Sequence, residues 1–218
     1  MCASYLIRKK ERTRIGFISE ERVDIDDYHD KLIVPRTGAP VIYRHESQVV
    51  VSEMMFSLLP SWSKEPKVKF ATHNARLETI SEKPTWREAF RKRHCLVPLT
   101  DFIEPIYEGD HAGFMVSFHL EDRDWLLAAG IWESWTDRQT GEVIESFAII
   151  TSDPPPFIAS VGHDRCPVFL GVEDAKSWLQ LSGTEPSEGI RFLKERNCAD
   201  QFEVENFRPM RPGWEKRK

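Results

Sequence analysis

The sequence predicts an α+β fold, in which a mostly antiparallel or barrel-like β-sheet core is flanked by helices in a single domain. Short apolar runs separated by glycine, proline and charged turns fill the middle of the chain. Helical stretches lie before and after them, and the regular strand-helix alternation of parallel sheets is missing. No internal repeat or Gly/Ser linker interrupts the 218 residues, so we predict one domain over residues 1–218.

The predicted elements follow from hydrophobic periodicity and turn residues. Strands are predicted at 49–51, 95–98, 114–120, 125–132 and 146–151. A helix is predicted over 83–93, because Pro84 in a first helical turn costs little. Two amphipathic helices, at 172–181 and 186–196, are expected to pack on the domain as its C-terminal helices (172–197). The tail, 206–218, is rich in Arg, Pro and Lys and is expected to fray.

Charge is unevenly distributed along the chain. The formal net charge is −5, but residues 60–95 hold nine Lys/Arg and four Asp/Glu, a net +5 against −10 for the remainder. A basic segment on an acidic body is typical of a phosphate-binding face. The alternative is a solvated helix face.

Composition excludes several classes of site. None of the four cysteines (Cys2, Cys95, Cys166, Cys198) forms a C-x-x-C pair, and no two histidines have H-x-x-x-H spacing. We therefore expect free thiols and neither a metal nor a cofactor. No apolar run is long enough to span a bilayer, and positive charges follow rather than precede the first apolar stretch. We expect a cytoplasmic protein without a membrane partner.

Cys2 has unusual chemistry if Met1 is removed. Its α-amine and thiol have reference pKa values of about 7.7–8.0 and 8.5, so both are partly deprotonated near neutral pH. The amine would form an imine with an aldehyde, and the thiol could close on it to give a thiazolidine. The alternative is an accidental second residue.

Three internal segments also carry candidate chemical groups. Asn74, Arg76 and Glu78 alternate and would share one face of a strand. Glu104 ends an apolar run, where apolar surroundings suit a proton carrier. His163 lies in a loop before an apolar strand and could exchange protons. A polar turn, a surface glutamate and a structural histidine are the respective alternatives.

Together these segments resemble the SRAP family (SOS response-associated peptidase domains, which crosslink to abasic sites in DNA). That family opens Met-Cys-Gly-Arg and carries W-G-L-I-P-x-W, N-A-R-x-E-T, C-L-V-P followed by F-Y-E-W, and H-x-R-M-P-V. The matching stretches are 1–2, 58–62, 74–79, 95–104 and 163–168. The resemblance runs from residue 2 to about residue 170.

The resemblance implies roles for particular residues. Cys2 would form the crosslink, Asn74 would orient it and the DNA, and Glu104 and His163 would move protons. For DNA binding it implies phosphate contacts and base stacking, which we assign to Arg76, Arg165, Phe56 and Trp62. The implied partner is single-stranded DNA with abasic sites, bound by a monomer that is nucleoid-associated on DNA.

This sequence also departs from the family pattern. Ser4 and Met55 stand where the family has arginines, and Phe56 replaces a tryptophan. Cys166 stands where the family has methionine. The chemical centre is kept while the docking surface is altered.

The resulting hypothesis is a DNA-damage response protein that removes its Met1 and crosslinks abasic sites through Cys2, with an abasic-site lyase side reaction. A first alternative is a non-covalent single-strand or junction binder. A second is a thiol protease that uses Cys95 or Cys166 with His163 and Asn74.

Overall fold

Two β-sheets form the centre of the molecule. The computed structural model describes residues 4–9, 15–121, 125–195 and 202–217. Its strands are β1 (Ser4–Leu6), β2 (Glu20–Glu21), β3 (Leu32–Ile33), β4 (Gly38–His45), β5 (Gln48–Phe56), β6 (Asn74–Arg76), β7 (His94–Leu99), β8 (Asp101–Pro105), β9 (Phe114–His119), β10 (Leu126–Thr136), β11 (Val143–Ser152), β12 (Cys166–Pro167), β13 (Phe169–Leu170) and β14 (Glu203–Pro209). The helices are α1 (Arg87–Lys92), α2 (Pro156–Val161), α3 (Val172–Gln180) and α4 (Pro186–Glu195), with 3₁₀ turns at Ile25–Tyr28 and Trp214–Arg217.

The larger sheet closes into a five-stranded barrel. β5, β4, β7, β10 and β11 pair in that order through antiparallel ladders, and β11 then pairs in parallel with β5. Phe147 lies opposite Phe56 in this closing pair, and their buried rings stack with centroids 5.1 Å apart. Closure removes two exposed strand edges and creates an apolar interior. The prediction of an α+β fold with a barrel-like, mostly antiparallel core is confirmed.

The second sheet carries the start of the chain against β8. Its order is β14-β9-β8-β1-β3. Only Thr100 separates β7 from β8, so the chain passes directly from the barrel into this sheet. Buried Asp101 accepts hydrogen bonds from Thr100 Oγ1 (2.6 Å) and Ser117 Oγ (2.9 Å), which fixes this crossing.

The helices cover one side of the barrel. α1 is shorter than the predicted 83–93, because residues 83–86 form hydrogen-bonded turns before the regular helix begins. Its buried Phe90 packs near Trp178 of α3, and His94 stacks on Trp178 with ring centroids 3.6 Å apart. α3 and α4 agree with the predicted C-terminal helices to within one residue at each described end. None of the helices in the described part of the chain is long and apolar enough to cross a membrane.

The C-terminal tail is ordered, and the prediction that 206–218 frays is wrong for the described residues. β14 pairs with β9 from Glu203 to Pro209, and a 3₁₀ turn follows. Phe202 is buried against Phe102 and Phe169. Without β14, the N–H and C=O groups along one edge of β9 would lack a ladder partner, so pairing offsets the low strand propensity of the tail.

Gly130 gives a test of barrel packing. A Cβ at this position in β10 would lie 2.9 Å from Cys95 Sγ and 3.0 Å from the Ala148 carbonyl oxygen. Overpacking of this kind costs about 1–3 kcal/mol, so Gly130→Ala should lower Tm by roughly 3–10 °C in a thermal melt. Gly16→Ala is the matched control, since nothing lies within 4 Å of its Cβ. Equal Tm values for the two variants would contradict the close packing described around Gly130.

Candidate functional site

A buried carboxylate and a buried imidazole contact each other between the two sheets. Glu104 in β8 is fully buried and His163 is 7 % exposed, with Glu104 Oε2 and His163 Nε2 3.2 Å apart. His163 Nδ1 lies 2.7 Å from the Arg165 carbonyl oxygen. The Arg165 backbone N–H also lies 3.2 Å from Nδ1, but the carbonyl contact is the shorter of the two, so we assign a proton to Nδ1; Nε2 is the nitrogen that faces Glu104. The contact therefore holds a proton between Nε2 and the carboxylate.

Local structure directs His163 towards this contact. Gly162 ends α2 in the left-handed conformation (φ 102°), which L side chains rarely adopt, and turns the chain inward. Burial by itself lowers the pKa of His163, but the hydrogen bond and negative charge of Glu104 outweigh it, so the pKa lies above its ordinary value. The imidazole thus keeps its proton further into the neutral range.

Asn74 lies in the short strand β6, which pairs in parallel with β11 opposite Ile149. It is 7 % exposed, whereas Arg76, two residues on, is exposed at the surface. The strand covers only residues 74–76, with Asn74 at its deeper end, and Glu78 lies in the turn that follows.

His73 was missed by the sequence analysis. Burial lowers its pKa, while the charge of Glu104 acts in the opposite sense, so His73 lies within electrostatic range of Glu104. Its ring also packs edge-on against Phe56. The only signal in the sequence was its position directly before the Asn74 segment.

A basic cavity of about 410 Å³ begins at His73. We use this name for the cavity lined by His73, Met55, Phe70 and three cations, Arg36, Lys67 and Lys69. Phe70 is 50 % exposed, and no acidic side chain is among the described residues that line the cavity. Its charge suits phosphate groups next to the Glu104–His163 pair.

Trp62 is available at the surface. Its indole is 53 % exposed, and Nε1 donates to the Pro84 carbonyl oxygen (3.2 Å), which orients the ring. Trp62 is expected to stack on a base and Arg76 to contact a phosphate. Both side chains are exposed enough for these roles, which stay predictions.

Base stacking by Phe56 is not compatible with its burial, and the phosphate contact expected for Arg165 stays a prediction. Phe56 is fully buried in the barrel, so its ring offers no face to a base. The Arg165 guanidinium is 8 % exposed and pairs with both Glu78 carboxylate oxygens (3.0 Å each) and with Asp153 (3.1 Å). Its charge is neutralised within the protein, and its carbonyl orients His163.

The two positions that lack the family arginines also differ from each other. Ser4 is buried in β1 opposite Ile103, so it does not present an outward docking position. Met55 is half-buried and lines the basic cavity. Only Met55 thus lies where an arginine would add a phosphate contact.

The cysteines divide into two groups. Cys2 and Cys198 lie outside the described residues. Burial raises the pKa of Cys95 well above its ordinary value, and burial together with the charge of Glu104 raises that of Cys166 to about 12. Neither internal thiol is a ready thiolate, which argues against the thiol-protease alternative. No metal-binding group of three or more His, Cys, Asp or Glu occurs among the residues that the structure describes.

Comparisons with known proteins identify the family. The chain is 29 % identical to "Abasic site processing protein YoqW" of Bacillus subtilis, over 82 % of this chain and 79 % of that protein. It is 25 % identical to "Abasic site processing protein HMCES" of Xenopus tropicalis, over 73 % of this chain and 56 % of that protein. A solved structure of a protein from Bacteroides thetaiotaomicron superimposes with a TM-score of 0.64 at 27 % identity, covering 83 % of this chain and 77 % of that one. The family model described as "SOS response associated peptidase (SRAP)" matches residues 1–208, and the chain therefore belongs to the SRAP family.

Proposed function

We propose that this protein processes abasic sites in single-stranded DNA by forming a covalent crosslink through Cys2 after removal of Met1. The names of its relatives support abasic-site processing. The observation that supports the crosslinking role is the pairing of β1 with β8, in which Ser4 lies opposite Ile103, the residue before Glu104.

The register limits how far Cys2 lies from the pair. Ser4 pairs with Ile103, the residue before Glu104. Cys2 precedes Ser4 by two residues, and covalent geometry keeps their Cα atoms within about 7 Å. This short tether supports the assignment of Glu104 and His163 as proton carriers for Cys2, with Asn74 orienting the reacting groups.

The proposed reaction uses both nucleophiles of Cys2. The free amine adds to the aldehyde of the ring-opened sugar, and His163 donates the proton with which the carbinolamine oxygen leaves as water. The N–H proton of the resulting iminium returns to His163, which leaves a neutral imine. The Cys2 sulfur then adds to the imine carbon, and the thiol proton goes to nitrogen through Glu104. The product is a thiazolidine, formed with loss of one water and no oxidation.

Two further activities use the same groups. Removal of Met1 hydrolyses one peptide bond, and in this proposal Glu104 activates the attacking water. An imine also acidifies the neighbouring sugar carbon, so β-elimination is the expected lyase side reaction. The basic cavity, Trp62 and Arg76 would hold the flanking nucleotides by phosphate contact and stacking.

The crosslink is tested directly with abasic single-stranded DNA. Wild-type protein should give a covalent adduct that survives denaturation, and Cys2→Ala should give none, because alanine lacks the thiol that closes the ring. Cys95→Ala is the control, since Cys95 lies in the barrel core. A non-covalent complex without an adduct would support the single-strand or junction binder instead, and an adduct with Cys2→Ala would contradict the proposal.

Glu104→Gln tests the proton carrier while keeping its shape. Loss of the carboxylate removes the hydrogen bond and the negative charge that do most to raise the pKa of His163. Crosslinking should slow by about 10²-fold or more at pH 8 and less at pH 6, because the rate now falls as pH rises through a lower His163 pKa. Single-turnover adduct formation across pH measures this, and intact mass reports whether Met1 removal also slows.

The matched control for that variant is Glu133→Gln. Glu133 is also buried and paired, with Arg93 at 2.8 Å, but it lies in β10 and contacts α1's C-terminal end rather than His163. It should leave the pH profile unchanged. The same pH profile for Glu104→Gln and wild type would remove Glu104 from the mechanism.

The basic cavity is tested by salt dependence. Each phosphate contact on single-stranded DNA contributes roughly −0.7 to the slope of log affinity against log salt. Lys67→Ala with Lys69→Ala should flatten the slope by about 1.4, and Met55→Arg should steepen it by about 0.7. Titrations with undamaged oligonucleotides measure both. If none of these changes alters the slope, DNA does not enter this cavity.

A further inference from the structure

A second cavity lies where the C-terminal tail meets the second sheet. We call it the C-terminal pocket; its volume is about 350 Å³. Tyr107, Met115, Arg208, Met210, Arg211 and Trp214 line it. None of the cavity-lining residues that the structure describes is acidic, although the whole chain carries a net charge of −5.

The pocket combines two kinds of recognition group. Tyr107 and Trp214 are half-buried, and their ring centroids are 6.4 Å apart. Arg208 and Arg211 are exposed, and within the described ranges neither forms an ion pair with a carboxylate. Arg165 is the contrasting case, because its charge is neutralised by Glu78 and Asp153. The two pocket guanidiniums are thus available for an anion.

The walls of the pocket are fixed by backbone contacts. Arg208 lies opposite Met115 in the β14–β9 ladder, and the Met210 N–H donates to the Gly113 carbonyl oxygen (2.7 Å). The Trp214 indole lies directly against Gly113, where a Cβ would come within 3.0 Å of the ring. The aromatic wall is therefore held in place rather than free to swing away.

The pocket lies at the same end of the second sheet as Glu104. Pro105, the next residue in β8, lines the pocket and lies opposite Met115 of β9. Glu104 and Pro105 have Cα atoms about 3.8 Å apart and point to opposite faces of the strand. A strand of DNA that passes the Glu104–His163 pair would thus reach the pocket around the end of β8.

We propose that the C-terminal pocket binds a nucleotide of the same single strand, a short distance from the abasic site. Its base would stack on the Tyr107 and Trp214 wall, and its phosphates would contact Arg208 and Arg211. Aromatic faces beside arginines match a base joined to a phosphate better than they match an acidic peptide, which offers no ring. This inference rests on the proposed binding of single-stranded DNA and adds a second contact outside the basic cavity.

Removal of the two arginines tests the phosphate contacts. Arg208→Ala with Arg211→Ala should flatten the salt slope by about 1.4 for undamaged single-stranded DNA. The flattened slope should appear with oligonucleotides of about 16 nucleotides. It should vanish with oligonucleotides of about 5 nucleotides, which cannot span the basic cavity and the C-terminal pocket. The matched control is Arg191→Ala with Lys194→Ala, which removes two exposed cations from α4.

Tyr107→Ala tests stacking separately. It should weaken binding of the longer oligonucleotide by about 10-fold without changing the salt slope, since no charge is lost. Thermal melts confirm that each variant is folded, and Tyr107 is chosen over Trp214 because it leaves the Trp214–Gly113 contact in place.

The outcomes separate this inference from the proposed function. If wild-type protein crosslinks and the Arg208→Ala, Arg211→Ala variant has the same salt slope as its α4 control, the pocket does not bind DNA. The proposed function would then still stand. If wild-type protein gives no adduct but the arginine double variant still flattens the salt slope, only the crosslinking proposal is overturned. A poly-glutamate peptide that competes for the pocket as well as the longer oligonucleotide does would overturn its assignment to a nucleotide.

Discussion

The contact between Glu104 and His163 is the interaction on which the site depends. A buried carboxylate or imidazolium is costly alone, but the two groups share a proton and reduce each other's cost. They come from different parts of the fold: Glu104 from the second sheet, and His163 from the loop that leads back to the barrel through β12. The pair therefore joins the two sheets where the chain begins, and its chemistry requires that junction to be intact.

Arg165 supports the pair from the other side. Its carbonyl fixes the proton on His163 Nδ1, while its guanidinium joins Glu78, which follows β6, to Asp153, which follows β11. The segment that carries Asn74 and the segment that carries His163 are thus held by one side chain. A cation in this position stabilises the site because two carboxylates neutralise its charge.

The sequence predicted the chemical groups better than their surroundings. Asn74, Glu104 and His163 were proposed because each lies in a short motif, and the structure brings Glu104 and His163 into contact. The barrel-like sheet was predicted from alternating apolar runs. Phe56 was assigned wrongly because strand periodicity does not show that β5 pairs in parallel with β11, 91 positions along the register, to close the barrel. The ion pairs of Arg165 were missed for a similar reason, since Glu78 lies 87 residues away in sequence. The tail is likewise ordered by its pairing with β9, and the composition of the tail does not reveal that pairing.

The charge distribution explains how an acidic protein could accept a polyanion beside a carboxylate. An isolated Glu104 would repel a DNA phosphate, and in a water-poor setting that repulsion would be strong. The proton on His163 makes the pair neutral overall, so the field at the site is set by its neighbours instead. The cations that line the adjoining basic cavity are Lys67, Lys69 and Arg36, whereas Arg165, two residues after His163, is already neutralised. In the proposed mechanism, protonation of His163 would therefore have two consequences: it would supply a proton for the reaction, and it would let an anionic substrate approach Glu104.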